Sequence, residues 1–597
     1  MEYKPLPIGI DNFETLITKG YYYVDKTLLI KELLDKKGAV TLFTRPRRFG
    51  KTLNISMVQY FFEDFRKEDG TKIDHTHLFE GLDIMQAGEK YCSYMGQYPV
   101  ISLSLKSGKQ PNFQLAYDML VRQIAYEYQR HSFILQDERL ADEKKRYLAI
   151  MREQANNSSY CDSLLFLSKC LEKYYGKKVI ILIDEYDVPL ENAFFEGFYK
   201  EMVAFVRSLF ESALKTNNSL EFAVITGCPS LDNEAPSSLG SKRPRQVNEV
   251  GFPTRFEKTS PSSQCQSIFT GLNNLNIISI LNKQYDEYFG FTDKEVLQIC
   301  KDYNLSCKYD LIKEWYNGYV FGNANVYNPW SAIQFIEDLR SDMNQFPSAY
   351  WANTSSNSIV RKLIERADED TKEEIEALIE GKTIEKPIHE DITYDEVYKS
   401  MDNLWNFMFF TGYFKKVGER MDEKTNEHYL ELAIPNKEVK YIFRTKILSW
   451  FQEKIEEKDL SVLYTALINK DVKVFEDELN DILMETISFN DAYENFYHGF
   501  VTGVLSGMKN YRVKSNREGG TGRSDLFIKP PTRRKAAFVI EFKIADKFEQ
   551  LEKKADEALQ QIADRRYVDE LKNDGYQTVI QYGIAFFRKD CMVKIKE

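Results

Sequence analysis

The sequence predicts an α/β chain: a mostly parallel sheet in the first third, a mainly helical middle region, and a small α/β domain at the C-terminal end. Three observations predict it. Short apolar runs rich in β-branched residues alternate with helical patterns up to about residue 227. From Leu272 to about Asn480 the helical period dominates. Over the last stretch, strand and helix signals alternate again. Strands alternating with helices imply a parallel sheet with both faces covered.

In the first third, Ala39–Thr44 and Val100–Leu105 read as strands, and Val179–Ile183 and Phe222–Thr226 read as buried strands. Each is short, apolar and bounded by polar turns. Helices are expected between them, for example over Phe113–Tyr128 and Ser163–Tyr175. Pro229–Gln266 interrupts this order with five prolines and seven serines in 38 residues and no sustained period, and is expected to be a disordered loop. Its Lys242-Arg243-Pro244-Arg245 run reads as solvated loop. Helices follow at Thr292–Tyr303, Thr371–Glu380 and Asp391–Met408, with a short strand at Tyr429–Ile434. The aromatic run Phe407-Met408-Phe409-Phe410 reads as helical core. In the tail, a helix near Ala492–Met508 precedes strands at Ser524–Ile528 and Ala536–Lys543, a helix at Phe548–Ala563 and a strand at Thr578–Phe586. The expected division is 1–280, 281–480 and 481–597.

A chain of 597 residues with 43% hydrophobic and 14% aromatic residues can bury several cores, which excludes a largely disordered protein. Its longest purely aliphatic run, Val179–Ile183, is far short of the ~20 apolar residues of a membrane span. The N-terminus lacks the basic-then-apolar layout of a secretory signal. Eight cysteines form no C-x-x-C pair and six histidines show no zinc-ligand spacing, which argues against a disulfide framework or structural zinc. The expectation is a cytoplasmic protein with no membrane partner. The net charge of −11 is unlike that of a wholly basic nucleic-acid coat. Between Lys509 and Lys543, however, ten Lys/Arg face three Asp/Glu, a local net of +7.

The run Thr44-Arg45-Pro46-Arg47-Arg48-Phe49-Gly50-Lys51-Thr52 follows a strand and opens a helix. Backbone N–H groups of such a turn and of the helix N-terminus cradle phosphates. Lys51 would reach the β/γ-phosphates, and Thr52 would ligate Mg²⁺. Arg45 stands where the P-loop pattern has its first glycine. A second signal is Val179–Ile183 leading into Asp184-Glu185, a buried strand ending in two acids. Asp184 would hold Mg²⁺, and Glu185 would polarise the attacking water. Both signals lie at strand C-termini, where open sheets bind ligands.

With Tyr23-Val24-Asp25-Lys26-Thr27, Ile183-Asp184-Glu185-Tyr186-Asp187, Ile225-Thr226-Gly227, Ser267–Leu275 and Tyr327-Asn328-Pro329-Trp330, the chain resembles the bacterial AAA-ATPase-like family. A PD-(D/E)xK nuclease-like domain commonly follows in that family. The resemblance implies a P-loop NTPase sheet ahead of the helical middle and a nuclease-like fold at the end. It covers nearly the whole chain, and Arg45 is normal for it. The chain departs from the family after Gly227, where the Pro/Ser-rich residues replace a short arginine-containing stretch.

In the tail, Asp525 and Glu541-Phe542-Lys543 fit D…E-x-K. A hairpin turning near residue 533 would set 525 opposite 541. Glu541 and Lys543, two apart, would share one face, with Phe538, Ile540 and Phe542 on the other. Two carboxylates and a lysine can bind a divalent metal and support phosphodiester hydrolysis, the metal activating water and Lys543 positioning the nucleophile or stabilising the transition state. Gly522–Asp525 and the Ala558…Gln561…Tyr567 helix match the nuclease-like superfamily. The resemblance adds Glu494, on an upstream helix, as a third acid and metal ligand. The local basic excess would offer phosphates a landing surface.

The function expected is that of an enzyme: a P-loop ATPase with a metal-dependent nuclease acting on nucleic acid, DNA first. Its cofactors would be ATP and Mg²⁺, with Mn²⁺ an option at the nuclease-like site, and homo-oligomer formation is compatible with it. The alternative is a nucleotide-controlled switch or scaffold whose C-terminal domain binds nucleic acid or protein without cleaving.

Overall fold

The computed structural model describes residues 3–215, 217–228, 268–269, 272–353, 358–389, 394–397, 399–484, 493–515, 526–565 and 567–596. Pro229–Gln266, Asp525 and the Gly522–Ser524 run before it lie outside them. The chain divides into two compact units, Met1–Ser355 with Glu385–Glu438, and Ser356–Ile384 with Val439–Glu597. The expected middle region, 281–480, therefore contributes to both.

The first unit is built on five parallel strands: β1 (Val40–Thr44), β2 (Val100–Ser104), β3 (Val179–Asp184), β4 (Leu220–Gly227) and β5 (Leu275–Ile278). Their spatial order is β2-β3-β4-β1-β5. All of β1 and all of β3 is buried, which is why these segments read as continuous apolar runs without alternation. Helices Phe113–Arg130 and Ser163–Tyr175 cover the sheet, and Leu120, Ile124, Leu167 and Leu171 pack with Ile181 and Ile225 in one core. Strand β5 was not expected, because the region from Leu272 reads as helical. It is four residues long and follows Asn273-Asn274, so periodicity cannot reveal it. Its place is fixed by pairing along the free edge of β1, from Val40 with Leu275 to Phe43 with Ile278.

The middle region is helical, as expected, but also carries two small three-stranded sheets. One joins β6 (Phe291–Thr292), β7 (Tyr319–Phe321) and β8 (Ala324–Tyr327). The other joins β9 (Ile384–Pro387), β10 (Lys415–Met421) and β11 (His428–Ala433). The helix expected over Asp391–Met408 is instead two, Tyr394–Val397 and Met401–Phe410. The second starts at Ser400, whose hydroxyl accepts the Asn403 N–H at 3.1 Å as an N-cap. Met408, Phe409 and Phe410 are buried.

The C-terminal part of the second unit is a five-stranded sheet in sequence order: β12 (Arg512–Ser515), β13 (Leu526–Lys529), β14 (Ala537–Ile544), β15 (Val579–Phe587) and β16 (Asp590–Lys596). β14 and β15 are parallel, and the other pairs are antiparallel. Their crossover is the helix Leu551–Asp564, followed by Tyr567–Asn573. Phe527, Ala537 and Val539 pack with Ile562, Tyr567 and Leu571 on that side. On the other face, the rings of Phe538 and Phe542 meet Tyr582, His498 and Phe586, with His498 on the helix Tyr493–Ser506.

Candidate functional site

The turn expected to bind phosphate joins β1 to the helix Lys51–Phe62. Gly50, at the helix N-cap, has φ +83°, and Arg48 before it has φ +72°. No side chain caps this helix, so its first N–H groups keep their capacity to bind an anion. Lys51 is nearly buried, and its ammonium donates to Arg45 O at 2.8 Å and Pro46 O at 2.9 Å, with Cys228 Sγ 3.9 Å away. Thr52 is half-buried in the first helical turn. Arg47 is ion-paired with Glu191, and the Arg48 guanidinium lies 4.4 Å from the ring centre of Trp330. Phe49 is buried against Tyr319 and Phe321, with ring centres 5.0 and 5.1 Å away.

Arg45 departs from what was expected of a nucleotide-binding side chain. Its guanidinium is wholly buried and donates to Ile278 O at 2.7 Å and Thr44 O at 3.1 Å, and its N–H goes to Gly227 O at 3.1 Å. Burial lowers its pKa to about 9.

At the end of β3, Asp184 is buried and accepts the Thr226 hydroxyl from β4. Glu185 has φ +54°, a left-handed conformation that glutamate rarely adopts, and its Oε2 is buried without a hydrogen-bond partner. Burial and the neighbouring Asp184 raise its pKa, opposed by Lys106, Lys51 and Arg47. β4 lies between β1 and β3, so the turn and the two acids stand on alternate strands, roughly 10 Å apart at about 4.8 Å per strand. Gly227 ends β4 in that space. A Cβ there would meet the Tyr186 ring at 2.4 Å and Asp187 Oδ1 at 2.5 Å.

Sequence reasoning had given no role to Asp187 or Cys228. Asp187 is buried, accepts the Cys228 N–H at 3.0 Å, and is pushed up to about 6 by burial against the pull of Lys51 and Arg47. Only the motif Ile183–Asp187 pointed to it. Other resemblance-bearing residues are structural. Lys26 is buried and pairs with Glu295 at 2.6 Å and Glu287 O at 2.7 Å, Asp25 accepts the Thr27 and Asp83 N–H groups, and Asn328 caps the helix Pro329–Ser341.

In the C-terminal sheet, β13 pairs with β14 as Leu526 with Ile540, Phe527 with Val539 and Ile528 with Phe538. Each pair is centred on residue 533, the register expected from the D…E-x-K spacing. Asp525, one step beyond, lies outside the described residues. Glu541 is buried and Lys543 half-buried, and both meet Gln561 of the crossover helix: Gln561 Nε2 donates to Glu541 Oε1, and Lys543 Nζ donates to Gln561 Oε1. Their shared face is thereby established. Gly583 pairs with Glu541 on β15, and a Cβ there would strike Ala555 O at 2.5 Å. Glycine lets the helix come down on the sheet beside Glu541. Glu494 lies on Tyr493–Ser506, and its side chain is outside the described residues.

Of the ten basic residues between Lys509 and Lys543, Arg517 and Arg523 lie outside the described residues. Arg533, Arg534 and Lys535 are exposed in the β13–β14 turn, and Ala537, where β14 begins, is four residues or about 13 Å from Glu541. Lys529 is paired with Asp574 at 2.6 Å.

Both donor sets suit the groups they are expected to hold. An uncapped helix N-terminus with an ammonium suits a polyphosphate, and Asp184, Glu185 and Thr52 supply hard oxygens for Mg²⁺. Glu541 offers a buried carboxylate beside a lysine. Among the described residues no three His, Cys, Asp or Glu form a metal-binding group, so a complete set there needs residues beyond them. Among the described residues no helix is long and apolar enough to cross a membrane.

A parallel sheet with a lysine-bearing turn after β1 and acids after β3 defines a P-loop-type ATPase domain, and the terminal sheet has a nuclease-like layout. Residues 7–234 match the family described as predicted AAA-ATPase, and residues 492–596 match the PD-(D/E)XK nuclease superfamily. The first region is thus similar to the AAA-ATPase-like family and the last to the PD-(D/E)XK nuclease superfamily. It is 25% identical over 367 residues to an uncharacterised protein of the vnfD 5′ region of Azotobacter chroococcum mcd 1. That match takes in 61% of this chain and 57% of the relative's length. The Walker-type ATPase paby2304 of Pyrococcus abyssi superposes with a TM-score of 0.33 at 11% identity, over 74% of this chain and 99% of that one.

Proposed function

We propose that the chain binds and hydrolyses ATP at the β1 turn and that its C-terminal domain is a metal-dependent nuclease acting on DNA. Lys51 would hold the β/γ-phosphates. On nucleotide binding it would exchange two loop carbonyls for phosphate oxygens, a stronger charge-assisted contact. Thr52 and Asp184 would carry Mg²⁺. Glu185, strained and with an unpartnered buried oxygen, would orient the attacking water. In the tail, Glu541 would be a metal ligand together with Asp525 and Glu494, and Lys543 would steady the attacking oxygen or the developing charge. The bound metal would activate water and neutralise phosphate charge. One observation carries the nuclease reading: a buried carboxylate and a lysine on one strand face, held together by one glutamine.

The test is cleavage of single- and double-stranded DNA and RNA with Mg²⁺ or Mn²⁺, with and without ATP, by the parent chain, Lys51→Ala and Glu541→Ala. Lys51→Ala should lose nucleotide binding strongly, and Glu541→Ala should abolish cutting while retaining much of the nucleic-acid binding. A parent chain that binds ATP and nucleic acid but cuts nothing would be a nucleotide-controlled switch instead.

A further inference from the structure

Arg45 stands where a P-loop ordinarily has its first glycine, yet the left-handed residues of this loop are Arg48 and Gly50. The backbone at 45 therefore makes no demand for glycine. The side chain instead reaches inward. Its guanidinium is fully buried, bound to Ile278 O of β5, with the rings of Phe289 and Phe321 each centred 5.3 Å from its carbon. Its Nε and Nη2 are buried with no acceptor, and its hydrogen bonds go to main-chain carbonyls. Asp286 acts on it through space without a hydrogen bond, a buried cation with no hydrogen-bonded carboxylate is costly, and an anion nearby offsets that cost. The same residue's own carbonyl accepts the Lys51 ammonium.

We propose that Arg45 is a positioning residue for the phosphate site. Its buried guanidinium ties the loop to β5 through Ile278 O, and it places behind the loop a positive charge for which a bound polyphosphate supplies counter-charge. The inference rests on the P-loop reading above. It also brings Ile278, Phe289 and Phe321, which lie beyond residues 7–234, into the nucleotide-binding unit. Restoring the glycine of the general pattern should accordingly weaken the site rather than improve it.

The experiment compares full-length Arg45→Gly, Arg45→Met and Arg45→Lys with the parent and Lys51→Ala. It measures ATP affinity by calorimetry and Tm with and without ATP. Arg45→Met should bind ATP at least tenfold more weakly while its nucleotide-free Tm stays at or above the parent's, because a buried charge has gone and Ile278 O keeps the Thr44 hydroxyl at 3.4 Å. Arg45→Gly should also bind more weakly than the parent. Arg45→Lys, which keeps the charge, should retain more affinity than Arg45→Met. Parent-like ATP affinity in Arg45→Met or Arg45→Gly overturns the proposal. So does a fall in nucleotide-free Tm that tracks the loss of affinity across the Met and Lys variants, the mark of a purely structural residue. Undiminished binding by Lys51→Ala would overturn the P-loop reading itself.

Discussion

The hydroxyl of Thr226 on β4 donates to the carboxylate of Asp184 on β3, side chain to side chain across neighbouring parallel strands. Both residues are buried, so the bond sets the orientation of the acid expected to hold Mg²⁺. Thr226→Val keeps the shape and removes the donor, leaving a buried carboxylate oxygen without its partner at a cost of about 1–3 kcal/mol. Mg²⁺-dependent ATP affinity should fall roughly tenfold, the rate equivalent of about 1.4 kcal/mol. Binding measured in EDTA should change little. Equal losses with and without Mg²⁺ would show that Thr226 does not act through Asp184.

Gln561 holds Glu541 and Lys543 at once, through its amide nitrogen and its amide oxygen. Gln561→Ala should slow metal-dependent cutting by about tenfold through loss of positioning, with the far-ultraviolet spectrum unchanged. Gln561→Glu sets a second carboxylate against Glu541, which raises the pKa of the pair. The acidic limb of the pH–rate profile should then move to higher pH. A profile identical to the parent's would separate Gln561 from the chemistry.

Glu438 is fully buried. One carboxylate oxygen accepts from Ser331 Oγ and Trp351 N at 2.9 Å each, and burial pushes its pKa up to about 7 despite them. The folded chain thus keeps a proton that the unfolded chain releases near 4.5. Stability therefore falls as pH rises from about 4.5 to 7 and levels off above, by roughly 3 kcal/mol from this group. Glu438→Gln should flatten that part of the curve and raise Tm at pH 8 relative to the parent. Denaturant unfolding at pH 5 and pH 8 measures both, and an unchanged slope would refute the assignment.

How far the sequence reached is clearest in β14. Ala536–Lys543 was legible as a strand because apolar residues fill it, and the hairpin register followed from symmetry about residue 533, because antiparallel pairing fixes the sum of partner numbers. The same held for β1 and β3, buried on both faces and bounded by polar turns. β5 was not legible. Four residues carry too little pattern, and its position depends on the open edge of β1.

The sequence by itself determined the kinds of element, the strand-to-helix turn at Gly50-Lys51-Thr52, the acids after β3 and the Glu541/Lys543 pair, since each is written in local pattern or spacing. Only the tertiary structure decided what those residues touch. Arg45 turns inward to Ile278, 233 residues away, and Gln561 descends on Glu541 through the gap left by Gly583. Contacts between residues far apart in the chain arise from packing and from the strand order of the sheets, and a one-dimensional pattern does not encode them.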